Sequence, residues 1–157
     1  MALSKSDAEK VGKMFKVLSN IERIGDHAEN IAGFTLAVID GKLNFSDDAI
    51  TELRTLGKLT VDQAVKAIEI YEKQDQAGVA QIKTQEKKVN SLTKEYTESH
   101  ITRLKKGKCD PKSGVIFTDM IHDLQRSADH AKNIAFSLLP ENKSEIFSRI
   151  FKTIFNR

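Results

Sequence analysis

The sequence has no tryptophan, a single cysteine (Cys109), two prolines (Pro111 and Pro140) and only 6% aromatic residues. One cysteine excludes an internal disulfide, which suits a reducing compartment such as the cytoplasm. Two prolines, both late in the chain, leave no breaker-rich linker, so 157 residues read as one ordinary domain. No apolar run reaches the roughly 18–20 residues that a membrane span needs, and no signal peptide is visible. Charge of one sign is missing too. The net charge is +3, and Lys and Arg alternate with Asp and Glu almost everywhere. Nucleic-acid modules concentrate basic residues on one face, so no nucleic-acid partner is expected. The densest basic run, Arg103 to Lys108, sits beside Gly107 and suits a helix C-terminus, where cations face the negative end of the dipole.

What the sequence does have is helical periodicity. Met14, Val17, Ile21, Ile24, Ala28, Ile31 and Thr35 recur at three- and four-residue steps. They predict a first helix over about 7–39, stopped at "DGK" with Gly41 as a left-handed cap. Ser46 predicts a cap for a second helix over about 46–73, with Asp47 and Asp48 in its first turn. Its stripe is Ile50, Leu53, Leu56 or Gly57, Thr60, Ala64, Ile68 and Tyr71. Asp75 predicts the start of a third helix over about 76–106, striped by Val79, Ile82, Val89, Leu92, Tyr96 and Leu104. "KKGKCDPKSG" reads as a loop. A fourth helix over about 114–138 carries Phe117, Ile121, Leu124, Ala128, Ala131, Ala135 and Leu138 before Pro140 ends it. Over 141–157, Ile146, Phe147, Ile150, Phe151, Ile154 and Phe155 predict a short amphipathic helix for packing on the bundle or a partner. No segment alternates like a strand. The fold class is therefore all-α, an antiparallel up-and-down bundle over 1–140 with an amphipathic helix at 141–157.

One internal repeat stands out. Residues 18–32 align with 121–135 without a gap, at Arg23/Arg126, Asp26/Asp129, His27/His130, Ala28/Ala131, Asn30/Asn133, Ile31/Ile134 and Ala32/Ala135. Seven identities in fifteen make the first and fourth helices equivalent elements. Within the repeat, Glu22 and Asp26 lie one turn apart on one face, where two like charges repel unless a cation neutralises them. Oxygen donors of this kind suit hard or borderline metals, and imidazole adds affinity for iron, zinc or manganese. The twin offers Asp129 and His130, with Gln125 in place of Glu22.

Helical phase puts Glu22 and Asp26 nearly opposite the Ile21–Ile24–Ala28 face, and Asp129 well away from its own stripe. Carboxylates that point outward disfavour an internal di-iron centre, and the Glu-x-x-His pairs of such bundles are missing. Glu86 differs: it falls between Ile82 and Val89, inside the apolar stripe of its helix, so it needs a partner or a cation. Asn90 follows one turn later, and Asp119 and Asp123 form another such pair. The residues leave both readings open: the carboxylates as a solvated or salt-bridged face, or as ligands, and the histidines as hydrogen-bonding helix residues, or as ligands. No nucleophile–base arrangement, phosphate loop or zinc-spaced set is readable, so nothing requires an enzyme. A metal-dependent hydrolase would need a cleft with an open metal position.

"IERIGDHAENIA" and "LQRSADHAKNIA" resemble the signature helices of PhoU-type domains, helical bundles whose motif is Glu or Asp, three residues, then Asp. Glu22–Asp26 matches the motif in full, Gln125–Asp129 in its second half, and "QEKKVNSL" matches with Asn90 for the Asp. The stretch from Arg103 to Ala135 is similar to the cytoplasmic PhoU-like C-terminal region of bacterial sodium/phosphate cotransporters. The resemblance implies regulation of phosphate uptake at the cytoplasmic face of the inner membrane. The partner would be a transporter domain, in the same chain upstream or separate. It also implies surface metal binding (iron, zinc or manganese) by Glu22, Asp26, Asp129 and Glu86, supported by His27, Asn30, Gln125, His130, Asn133 and Asn90. A complete PhoU domain has two helices before the first signature helix, so the resemblance further implies a piece of a longer chain. The alternative is a structural bundle that forms a homo-oligomer or docks a partner without metal.

Overall fold

The computed structural model describes residues 4–140. The amphipathic helix expected over 141–157 lies outside the described residues. Four helices account for nearly all of the rest: α1 (Lys5–Asp40), α2 (Asp47–Glu72), α3 (Val79–Lys105) and α4 (Pro111–Phe136). No strand occurs among the described residues. Successive helices reverse direction, so the all-α up-and-down bundle stands.

Local chemistry sets the helix ends. Ser4 accepts from the Asp7 N–H to cap α1, and Ser46 accepts from the Ala49 N–H to cap α2. The stop at "DGK" works differently from the expectation. Gly41 has an ordinary φ of −75°, and Lys42 takes the left-handed conformation at 49°. The Leu43 N–H then reaches back to the Val38 carbonyl at 3.0 Å, a Schellman closure displaced by one residue. Gly41 is needed for space, since a Cβ there would sit 2.8 Å from the Ala37 carbonyl oxygen.

Asp75 does act as a cap, but for a turn: its Oδ1 accepts from the Gly78 N–H at 3.0 Å, and α3 starts only at Val79. α4 starts earlier than the loop-like composition suggested. Asp110 accepts from the Ser113 N–H and Pro111 opens the first turn, where a missing N–H costs nothing.

Packing splits the periodic stripes. Among the described residues, α2, α3 and α4 form a three-helix bundle, and α1 packs against α4 alone. Val17, Ile24 and Ile31 face α4 or its margins, with Val17 at 6% exposure. Met14, Ile21, Ala28 and Thr35, expected on the same stripe, are exposed. They belong to a second apolar row with Val11, Leu18, Gly25, Ala32 and Ile39, in which Met14 is 56% and Leu18 58% exposed. A 3.5-residue spacing runs through both rows, so each follows one side of the helix.

α2 shifts likewise. Its buried set is Ala49, Leu56, Thr60, Gln63, Ala67 and Ile70, while Ile68 lies outside. Leu104 of α3 is also partly exposed. The α4 stripe is buried or half-buried throughout.

The core has two polar fixtures. Gln63, fully buried, donates to the Ala128 carbonyl at 2.7 Å, and Thr60 donates to the Leu124 carbonyl at 3.2 Å. Side chains bond carbonyls across this seam because Ser127, Ala128, Ala131 and Ala135 keep α4 thin. At the other end Arg103 donates through Nη1 and Nη2 to Glu52, at 2.8 and 2.7 Å, and lies over the Phe117 ring at 5.2 Å. This cation is therefore buried structure and not part of a solvated helix end.

Removing one partner of the Arg103–Glu52 pair strands a buried charge. Glu52→Ala should cost about 3–5 kcal/mol of stability in urea unfolding, and Glu52→Leu with Arg103→Met should recover most of it.

Candidate functional site

The repeat has a structural counterpart at the α1–α4 seam. His27 Nδ1 lies 2.8 Å from Asp123 Oδ1, and His130 Nδ1 lies 2.9 Å from Asn20 Oδ1. Asn20 uses its own amide to donate to the Lys16 carbonyl, so its oxygen is the acceptor. Both imidazoles thus donate from Nδ1. The two rings stack on each other at 5.5 Å with 25° between planes.

These contacts run the helices antiparallel, with 27 opposite 123 and 20 opposite 130. A shift of 103 residues carries 20 to 123 and 27 to 130. Each contact therefore maps onto the other, and a local two-fold axis passes between the stacked rings. Asn133 also donates to Asn20, at 3.2 Å, whereas Asn30 is exposed. Of the supporting residues expected from sequence, His27, His130 and Asn133 meet here; Asn20 and Asp123 were missing from that set. A signal existed for them: each stands seven residues before its helix's histidine, at the same repeat position.

A second cluster lies between α3 and α4. Glu86, expected to need a partner, has two: Lys132 Nζ at 2.9 Å and Asn90 Nδ2 at 3.0 Å. Gln125 donates to Asn90 Oδ1 at 2.8 Å, and Lys132 also reaches Asp129 Oδ1 at 3.3 Å. Glu86, Asn90, Gln125 and Asp129 thus come together around Lys132, which sequence reasoning did not single out.

Glu22 and Asp26 are in neither cluster. Both are exposed, as phase required, and the nearest cation to Asp26 is Arg23 at 3.8 Å. Among the described residues no group of three or more His, Cys, Asp or Glu side chains is arranged to hold a metal. The donor sets of the two halves differ. Glu22 and Asp26 present two exposed carboxylates one turn apart, Asp26 in a long ion pair with Arg23, and these fit part of a coordination shell. Glu86 and Asp129 have their oxygens on an ammonium, and do not fit a metal with Lys132 in place.

Two histidines carry a pH signature. Burial holds the His130 imidazole below its usual 6.5, helped by the His27 charge and opposed by Asp129. Burial likewise lowers His100, helped by Arg103 and opposed by Glu52. A lowered pKa means that the unfolded chain takes up protons first as the pH falls. Their contribution is thus complete above about 6.5 and shrinks below it. The urea midpoint should fall between pH 6.5 and 5, and His100→Gln with His130→Gln should flatten that slope.

A sequence model of the PhoU domain matches residues 1–35 and 53–138. A curated relative from Burkholderia sp., described as a phosphate-specific transport system accessory protein PhoU homolog, is 26% identical over 122 residues. The match covers 76% of this chain and 51% of the relative, so the chain spans about half the length of the curated relative it matches. No solved structure matches it significantly. The PhoU domain is a regulatory accessory domain and not an enzyme family. By the family match over both repeat helices and the α2–α4 bundle, the chain belongs to the PhoU domain family.

Proposed function

We propose that the protein regulates phosphate uptake as the PhoU-like domain of a sodium-dependent phosphate transporter-type protein, at the cytoplasmic face of the inner membrane. The observation that carries this reading is the family match along both repeat helices. The accessory role in phosphate transport stated for the Burkholderia relative supports it. No helix of the described residues is long and apolar enough to cross a membrane. In our reading the transporter contact is made by a docked surface.

The exposed row on α1 is the candidate for that surface. Under the repeat, Phe117, Ile121, Leu124, Ala128, Ala131 and Ala135 map onto Met14, Leu18, Ile21, Gly25, Ala28 and Ala32. The α4 residues face α2 and α3; their α1 equivalents face outward. An apolar row of this length on a lone helix favours a covered state. In our reading two further helices, in the same longer chain or in the partner, cover it as α2 and α3 cover α4. Glu22 and Asp26 then lie beside the arriving helices, which would complete a surface metal site for iron, zinc or manganese.

The same row supports a second reading, in which copies of the chain associate without metal. Leu18→Glu with Ile21→Glu separates the two. In cells, loss of the protein should leave phosphate uptake unresponsive to external phosphate, and the double variant should behave alike. Normal down-regulation in the deletion strain would sink the regulatory reading. If the isolated chain is dimeric by sedimentation, becomes monomeric in the variant, and uptake control survives, self-association is the role of the row.

A further inference from the structure

The α3–α4 cluster is chemically unlike the α1 face that repeats it. On α1 the row reads Glu22, Asp26, Glu29; the aligned row on α4 reads Gln125, Asp129, Lys132. The first carries three negative charges. The second is neutral, with one acid, one base and one amide. The facing row on α3 likewise pairs an acid with an amide, Glu86 followed one turn later by Asn90.

The geometry shows how these residues fit together. The two amides pair across the seam, Gln125 Nε2 donating to Asn90 Oδ1 at 2.8 Å. The two carboxylates, Glu86 and Asp129, converge on Lys132 Nζ at 2.9 and 3.3 Å. The Asn90 amide also donates to the Glu86 oxygen that holds the lysine. The Lys132 side chain is 24% exposed and Glu86 15% exposed, so this ion pair is sheltered and balanced, while Asp129, 41% exposed, reaches the lysine from the solvent edge. Burial alone would pull the lysine pKa down, but the Glu86 hydrogen bond and the Asp129 and Glu86 charges outweigh it, and the ammonium is held charged.

We infer that Lys132 is a built-in counter-cation that takes the place of a metal between α3 and α4, with the amide Gln125 standing where α1 has the carboxylate Glu22 and bonded to the amide Asn90. This half of the protein closes without metal, and any metal belongs to the α1 face. A divalent ion needs several free anionic oxygens. Here it would have to expel an ammonium from the two carboxylates present and displace amides already bonded to each other.

The test uses the 157-residue chain carrying Glu22→Gln and Asp26→Asn, so that the α1 face cannot contribute, with Mn2+ alone as the probe. The expected result is no Mn2+-dependent change in Tm and no bound Mn2+ by electron paramagnetic resonance. Adding Asn90→Asp, Gln125→Glu and Lys132→Ala should create a site. Tm should then rise by roughly 5–10 °C at a hundredfold excess over Kd. If that chain is unfolded without metal, the same site reads as Mn2+-dependent recovery of helical circular dichroism. In a metal-free series Lys132→Met should lower Tm, and Glu86→Gln with Asp129→Asn should restore it. Three results overturn the inference: Mn2+ binding to the starting chain that Glu86→Gln abolishes, no Mn2+ binding after the three conversions, or no loss of Tm in Lys132→Met.

Discussion

Every helix contact in the described chain except the α2–α3 seam runs through α4. That helix must serve three neighbours, and it can do so because its faces are chemically different. Its thin side, with Ser127, Ala128, Ala131 and Ala135, lets α2 come close enough for Gln63 and Thr60 to bond main-chain carbonyls. Its amide-and-charge edge meets α3 through Gln125, Asp129 and Lys132. Its histidine edge meets α1. A larger residue at Ala128 or Ala131 would push α2 away and unseat those carbonyl bonds, since close-packed interiors do not absorb added volume.

The α1–α4 pairing follows from the repeat. Two helices with the same residues at the same positions can pair antiparallel through one shared face, as two identical subunits do across a two-fold axis. The stacked histidines sit on that axis because only an axial position can contact its own equivalent. Pairing by this face leaves the other apolar face of each helix available. α4 spends its second face on α2 and α3, and α1 has nothing among the described residues to spend its own on. The exposed row on α1 thus follows from quasi-symmetry where α1 has no counterpart of α2 and α3 among the described residues, and it links the fold to the docking role proposed above.

Several elements were legible in the sequence because they depend on neighbours within a few residues. The four helices, the Ser46 cap and the repeat are local patterns. So is the outward direction of Glu22 and Asp26, because helical phase fixes direction relative to a stripe. The need of Glu86 for a partner was readable from its place between Ile82 and Val89. The starts of α3 and α4 were less so. Asp110–Pro111 is a helix-start signal, but it is embedded in a lysine- and glycine-rich stretch that also reads as loop.

Which partner each group found was not legible, because that depends on residues far along the chain. Periodicity places Met14 and Val17 on one stripe of α1, and it cannot say that only one edge of the stripe would meet another helix. It marks Glu86 as needy and cannot name Lys132, 46 positions away. It shows His27 and His130 as equivalent without showing that they touch. The sequence by itself determined the helices, their repeat and the outward phase of the acidic pair, since these rest on bonds and spacings inside single helices. The tertiary structure alone decided which apolar row is buried, which acids receive a lysine and which stay exposed, since these depend on the neighbour that packing brings against each face.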